Sequence, residues 1–309
     1  MNKHIILGVL SFVLFQIAKA QQDAMFTHYM YNTLAVNPGY AGTRDVATIT
    51  ALNRNQWVGF DGAPVTQTLT MHSPFFNNKI GGGLSILNDK AGPIKTTSVY
   101  ADFAYHLKIN DKSKLSFGLK AGVNLLQSSL TQLKLDQGND NSFQNNLIGK
   151  ALPNFGFGLY YHTERFYLGA SIPRLLENNF TTKTSTGTTD LLSQKRHYFF
   201  IGGALFNLPA GLKLKATSLL KIVPAAPIEL DVTGEFILKD KLTLGIMGRS
   251  LDGVGFLVGY QFSEQLRAGY SFDLSMTKLI RYNYGSHEIM LMYDLILNNK
   301  GKIRSPRYF

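Results

Sequence analysis

The chain has 309 residues, a formal charge of +11 and no cysteine. It therefore has no disulfide framework and no cysteine metal site. Abundant Phe and Tyr at a mean hydropathy near zero leave two classes, a large exported β-protein or a membrane barrel.

Lys3 and His4 make a basic start, residues 5–17 are apolar apart from Gly8, Ser11 and Gln16, and Ala18, Lys19 and Ala20 close the run with small residues. A membrane helix needs roughly 20 apolar residues. Residues 1–20 thus read as a cleavable secretory signal peptide. Losing Lys3 and Lys19 with it lowers the charge to +9, a balance suited to outer-membrane lipid and anionic lipopolysaccharide, to peptidoglycan or to acidic proteins. Export excludes nucleic acid as a partner.

Residues 21–44 follow. Phe26, Tyr29, Met30, Tyr31 and Leu34 need burial there, and "NPGYAG" turns the chain into a first strand. The expectation is a plug-like segment in the lumen or across the periplasmic mouth. From residue 45 to 297 the pattern has period two. Leu115, Phe117, Leu119, Ala121, Val123 and Leu125 alternate with Ser116, Gly118, Lys120, Gly122 and Asn124. Ile228, Leu230, Val232, Phe236 and Leu238 alternate with Glu229, Asp231, Thr233 and Glu235. Leu266, Ala268, Tyr270, Phe272 and Leu274 alternate with Arg267, Gly269, Ser271 and Asp273. Such alternation makes strands with one apolar and one polar face.

About fourteen strands of roughly ten residues are expected, starting near Val46, Val65, Lys79, Ile94, Lys114, Leu152, Arg165, Lys195, Leu212, Pro227, Lys241, Gly253, Glu264 and Gly285. Connections near 75–78, 109–112, 163–164, 208–210, 240 and 263–265 are tight. Those between are longer, above all 126–150 and 173–194, whose Asn, Gln, Ser and Thr suit an exterior surface. Short turns on one side and long loops on the other mark an all-β, antiparallel transmembrane barrel of the outer membrane. An even strand count then puts both chain ends at the periplasmic side. The tail 298–309 is basic. Its Lys302, Arg304 and Arg307, with Tyr308 and Phe309, are candidates for periplasmic docking.

Three stretches carry a resemblance: "QDAMFTHYMYNTLAVNPGYAGTR", "NRNQWVGFDGAPVTQTLTMHSP" and the closing "SHEIMLMYDL…SPRYF". Together they resemble the PorP/SprF family of outer-membrane proteins of the Bacteroidota type IX secretion and gliding machinery. The likeness spans about residues 21–309, with Gly39 standing where the family's "NPAYAG" has alanine. It implies support for secretion or surface attachment of a cargo carrying a type B C-terminal domain, such as a gliding adhesin. It also implies periplasmic partners, including a peptidoglycan-binding lipoprotein resembling PorE. The alternative from the residues alone is a channel for small solutes or hydrophobic compounds.

Catalysis has no constellation to rest on. The histidines are scattered without HxxxH or HExxH spacing. Ser286 and His287 are strand neighbours and point to opposite faces. Gly81, Gly82 and Gly83 lack the lysine and helix of a phosphate loop, and serve strand bending or close approach of the plug. No enzyme, metal or cofactor is expected. Asp102, Lys120, Lys213, Lys215, Glu229, Asp231, Glu235, Arg267 and Asp273 fall on the polar phase, joined by Arg249, Glu288 and Asp294. Their mixed signs favour a lumenal salt-bridge network over an ion-selective pore. Trp57, the only tryptophan, precedes the first outward turn and is the candidate interfacial anchor. The tip Phe60–Asp61 is the candidate partner-binding site.

Overall fold

The computed structural model describes residues 24–129, 147–184, 187–250 and 252–296. Its strands are β1 Ala47–Asn55, β2 Val65–Phe75, β3 Ile80–Ala91, β4 Ile94–Asn110, β5 Ser113–Ser128, β6 Leu147–Thr163, β7 Phe166–Ile172, β8 Asn179–Thr184, β9 Gly187–Ser193, β10 Tyr198–Asn207, β11 Leu212–Ile222, β12 Glu229–Leu238, β13 Leu242–Arg249, β14 Gly253–Gln261, β15 Leu266–Ser275 and β16 Ser286–Leu295. Fourteen of them pair in antiparallel succession into a closed barrel, and β8 and β9 form a separate hairpin. Closure comes from β1 against β16, in register from Ala47 with Leu295 to Asn55 with His287.

Alternation decides which face looks where. Along β5, Ser116, Gly118, Lys120 and Asn124 are buried while Phe117, Leu119 and Val123 are exposed on the outside. A closed sheet with an apolar exterior and a polar interior belongs in lipid, where every backbone group must be paired within the protein.

The tight turns form one end. Two are built on consecutive left-handed residues, Lys239 and Asp240 with φ of 49° and 57°, and Ala210 and Gly211 with 59° and 72°. Consecutive positive φ matches the twist of a two-strand hairpin. Strand lengths are less uniform than the expected ten residues. β4, β5 and β6 have 17, 16 and 17 residues, whereas β7 has only 7. The segment 173–194, expected as a loop, contains the β8–β9 hairpin. Threonine-rich "NFTTKT" and "GTTDLLS" supply β-branched residues that favour extended backbone.

Residues 24–44 lie inside the barrel, with Phe26, Tyr29, Met30, Tyr31, Leu34 and Tyr40 all buried. They contain one helical turn, Thr33–Val36, and a 3-10 turn, Pro38–Tyr40, in which the Asn37 carboxamide accepts from the Gly39 N–H at 2.8 Å. Contacts give the direction of travel. Arg44 pairs with Asp294 at 2.8 Å, near the short-turn end. The Thr27 and His28 N–H groups reach Glu288, which stands opposite Arg54 at the far end of β1. From Thr27 to Arg44 the segment therefore runs down the lumen from the long-loop end to the short turns, so Thr27 and His28 do not lie at the short-turn end, where an even strand count put the start of the chain.

Small residues on the wall make room for it. A Cβ on Gly118 would fall on the Pro38–Gly39 backbone, and one on Gly81 on the Ala41 carbonyl. Gly118→Leu should leave a heat-modifiable barrel while driving the inner segment out of place. Protease should then cut within residues 24–44 of the solubilised variant about tenfold faster than in the parent, since a lost packing interface lowers the local opening free energy. Equal protection in both would show that this contact does not seat the segment.

Candidate functional site

Two regions gather the candidate residues, the lumen and the rim at the long-loop end. In the lumen nearly every wall charge meets an opposite charge. Lys120 lies 3.2 Å from Asp102, Lys215 2.8 Å from Glu235, Lys221 2.9 Å from Glu229 and Arg249 3.0 Å from Asp231. Arg54 sits between Asp273 at 2.6 Å and Glu288 at 3.3 Å. A charge taken out of water must be paired and hydrogen-bonded to be tolerated.

The same charges hold the inner segment. Glu288 accepts the N–H of Thr27 at 2.9 Å and of His28 at 2.7 Å, and pairs with the His28 ring at 2.8 Å. Lys120 donates to the Leu34 carbonyl at 3.1 Å and Arg249 to that of Phe26 at 3.3 Å. The Tyr31 hydroxyl donates to Glu235 at 2.9 Å, with the Lys215 ammonium 3.8 Å and the Arg267 guanidinium 4.8 Å from the ring centroid. These cations gain from the negative face of the ring. Neutral groups finish the lining: Asn32 bonds Thr68 and Thr70, Ser171 donates to the Val36 carbonyl, and Asn37 donates to that of Leu159. The segment has no sheet neighbour for its backbone, so side chains of the wall take that place.

Of the nine residues assigned to a lumenal network, eight line the interior. Lys213 does not. It is the second residue of β11, beside a short turn, and pairs with the partly exposed Asp240 at 2.7 Å. The alternation places it on the polar phase but says nothing of its height along the strand. Arg54, His28 and Lys221 were missed. Arg54 follows Thr48, Thr50 and Leu52 on the inner phase of β1, a signal available in the pattern. His28 lies on a segment without strand periodicity and gives no comparable signal.

At the rim, Phe60 and Asp61 lie on the exposed turn between β1 and β2. This turn is clasped on both sides. Val58 exchanges backbone hydrogen bonds with Gly285 at 2.8 Å and Tyr284 at 2.7 Å, and Gly62 accepts from Gly92 at 2.9 Å. A Cβ on Gly59 would strike the Tyr284 ring. Trp57 is half-buried in a left-handed conformation, φ 47°, and its N–H donates to the Ser286 hydroxyl at 3.1 Å. Its indole nitrogen is buried with no hydrogen-bond partner among the described residues. The neighbouring loop adds Met276, Tyr282 and Tyr284, exposed by 75%, 66% and 80%, beside Phe60 at 44%. That loop is ordered by its own bonds: Thr277 caps the turn Lys278–Arg281, and Asn283 bonds both Leu279 and Gly285. Lys302, Arg304, Arg307, Tyr308 and Phe309 lie outside the described residues, as does the signal segment 1–20. Among the described residues no group of His, Asp and Glu could hold a metal ion.

Comparisons with known proteins give one family. The model described as "Type IX secretion system membrane protein PorP/SprF" matches residues 18–293. No curated protein matches the chain. Among solved structures, the P. putida toluene transporter TodX is similar at 10% identity, covering 85% of this chain and 94% of that one, TM-score 0.46. A Pseudomonas aeruginosa FadL homologue is similar at 13% identity over 82% and 90%, TM-score 0.44. The KdgM porin is similar at 9% over 80% and 99%, TM-score 0.38. These likenesses say nothing of what this chain transports or binds.

The lumenal pairs make a direct prediction. Lys120→Met leaves Asp102 buried without its cation and should cost about 3–5 kcal/mol in a reversible unfolding titration in micelles. Lys120→Met with Asp102→Leu should recover more than half of that loss. If the single variant is as stable as the parent, the pair plays no part in holding the interior.

Proposed function

As this chain belongs to the PorP/SprF family of type IX secretion system membrane proteins, we propose that it supports secretion or surface attachment of a cargo carrying a type B C-terminal domain. It does so as a cargo-facing platform rather than as a conduit. The observation that carries this reading is the division of the barrel. The lumen is occupied by a segment whose polar groups are matched to the wall, while apolar and aromatic side chains stand out from an ordered rim at the long-loop end. Exposed aromatic groups on a preorganised surface are the usual anchors of an interface.

In this reading the chain reaches the outer membrane through a cleavable signal in residues 1–20, the short turns face the periplasm and the long loops face outward. The periplasmic end meets other machinery subunits, among them a peptidoglycan-binding lipoprotein resembling PorE. The basic tail with Lys302, Arg304 and Arg307 is its docking peptide. Trp57 anchors the turn that presents Phe60 and Asp61. A small-solute channel is the competing function. It requires an open lumen, so the parent barrel would conduct in planar bilayers without removal of residues 21–37.

Replacing Phe60 and Asp61 together by Ala should leave barrel abundance unchanged and reduce cargo at the cell surface about tenfold, as expected for loss of one interface anchor. Trp57→Phe should keep both near normal, whereas Trp57→Ala should lower barrel abundance. Undiminished cargo display in the Phe60/Asp61 variant would remove the tip from the partner-facing surface. Loss of cargo in Trp57→Phe with a normal barrel level would move the indole onto it.

A further inference from the structure

On the outward face of β1 to β5 the side chains change character in rows. Ala51, Leu69, Ile86, Val99 and Val123 stand opposite one another across the five strands and make an apolar row. One outward position nearer the long loops, Asn53, Gln67, Asn88 and Thr97 make a row of amides and a hydroxyl across the first four. Beyond it Lys90 and Lys95 stand directly opposite each other, with Gln127 beside Lys95. All three of these are exposed.

The amide row is a single hydrogen-bonded chain. The Thr97 hydroxyl donates to Asn88 at 3.1 Å, Asn88 to Gln67 at 3.3 Å and Gln67 to Asn53 at 3.3 Å. Each carboxamide nitrogen carries two N–H groups. Among the described residues Asn53 therefore keeps both of its own free, and Gln67 and Asn88 keep one each. Bonds in such a chain polarise one another and hold the amides in place. Neighbouring strands lie about 4.8 Å apart, so the row spans roughly 14 Å, wider than one phospholipid headgroup.

This row lies at a height that is still apolar elsewhere on the barrel. β3, β11 and β15 all rise from short turns, and their ninth residues are Asn88, Leu220 and Leu274. A membrane strand needs about 9–11 residues to cross the hydrocarbon. The exterior of β1 to β4 thus turns polar where β11 and β15 still meet lipid tails. Neither Lys90 nor Lys95 has a carboxylate partner among the described residues. Asp89, next to Lys90 in the chain, accepts from the inward Thr66 hydroxyl at 2.6 Å, and the exposed Asp61 on the neighbouring turn pairs with neither lysine. Like charges directly opposite on a sheet repel, a cost that an anion between them removes.

We propose that this face binds a phosphorylated glycolipid of the outer leaflet. Its acyl chains lie on the apolar row, its ester and amide carbonyls accept from the free N–H groups of Asn53, Gln67 and Asn88, and a sugar phosphate sits between Lys90 and Lys95. The order of the rows is the order of these groups in the lipid, from hydrocarbon to charge. Lysine stems lie along apolar surface while their ammonium groups reach the headgroup layer. The site rests on the reading that the long loops face outward, and it is separate from both the lumen and the Phe60–Asp61 tip.

The test uses the full mature barrel in neutral micelles, titrated by native mass spectrometry with lipid A carrying two phosphates, lipid A freed of phosphate, and phosphatidylglycerol. The two-phosphate lipid should bind, and the phosphate-free form at least about tenfold more weakly, since each lysine near an anionic lipid contributes about fivefold and two are present. Lys90→Gln with Lys95→Gln should weaken the two-phosphate lipid by about that factor and close the gap between the two forms. Gln67→Leu with Asn88→Leu should weaken both forms of lipid A. Both variants should keep the heat-modifiable mobility of the parent. Lys278→Gln with Arg281→Gln, exposed cations on the loop between β15 and β16, should leave binding unchanged. Equal binding of the two forms, no loss in the Lys90/Lys95 variant, an equal loss in the Lys278/Arg281 variant, or phosphatidylglycerol bound as tightly as two-phosphate lipid A would overturn the proposal. Orientation is read separately from these titrations. An epitope inserted after Asp61 that antibody reaches only in permeabilised cells would put the rows on the periplasmic side and remove this ligand, whatever the micelle assay shows.

Discussion

Everything in this protein follows from pairing β1 with β16. A sheet in lipid cannot leave an edge, because each unpaired N–H or carbonyl in the hydrocarbon costs several kcal/mol. The in-register ladder from Ala47 with Leu295 to Asn55 with His287 removes that edge. Once the sheet is closed, alternation sends one set of side chains to lipid and the other inward. The inward set is polar and charged, and it encloses a volume that must be filled or hydrated.

The filling is the inner segment, and the wall charges do two jobs at once. They neutralise one another across neighbouring strands, as Lys215 does with Glu235 across β11 and β12. They also replace the backbone partners that the segment lacks, as Glu288 does for Thr27 and His28. Buried ion pairs of this kind add little net stability over apolar packing. Their contribution is to specify: an inverted or shifted segment would leave charges and carbonyls unmatched. Glycines at 81 and 118 enforce the same choice sterically, because only a wall without Cβ lets the segment's backbone approach there.

Closure also explains the rim. Strand ends that no longer pair must finish on themselves, and here the turn after β1 finishes on its neighbours, Tyr284 and Gly285 on one side and Gly92 on the other. The left-handed Trp57 is a local cost of this arrangement, and Gly59 fits beside the Tyr284 ring because it has no Cβ. Phe60 thus stands on a turn bonded to the loop that exposes Met276, Tyr282 and Tyr284. Family membership assigns the protein to type IX secretion, and the rim is where apolar side chains stand exposed on ordered backbone.

The sequence by itself determined the barrel. Period-two alternation is a local property, so Leu115 to Leu125 or Leu266 to Leu274 declare their faces without reference to any other strand, and tight turns declare themselves through length and composition. Even the even count and the end at which both strands of the seam begin and finish could be read from it. What lay beyond local pattern was decided by tertiary structure. Alternation assigns Lys213 and Lys215 to the same face, but only the assembled barrel separates one at the mouth from the other buried against Tyr31. The inner segment has no period of its own, so the path of residues 24–44 and the part of His28 exist only once the wall surrounds them. The sign of a charge is written in the chain, whereas its partner is set by the height and shear at which distant strands are brought together.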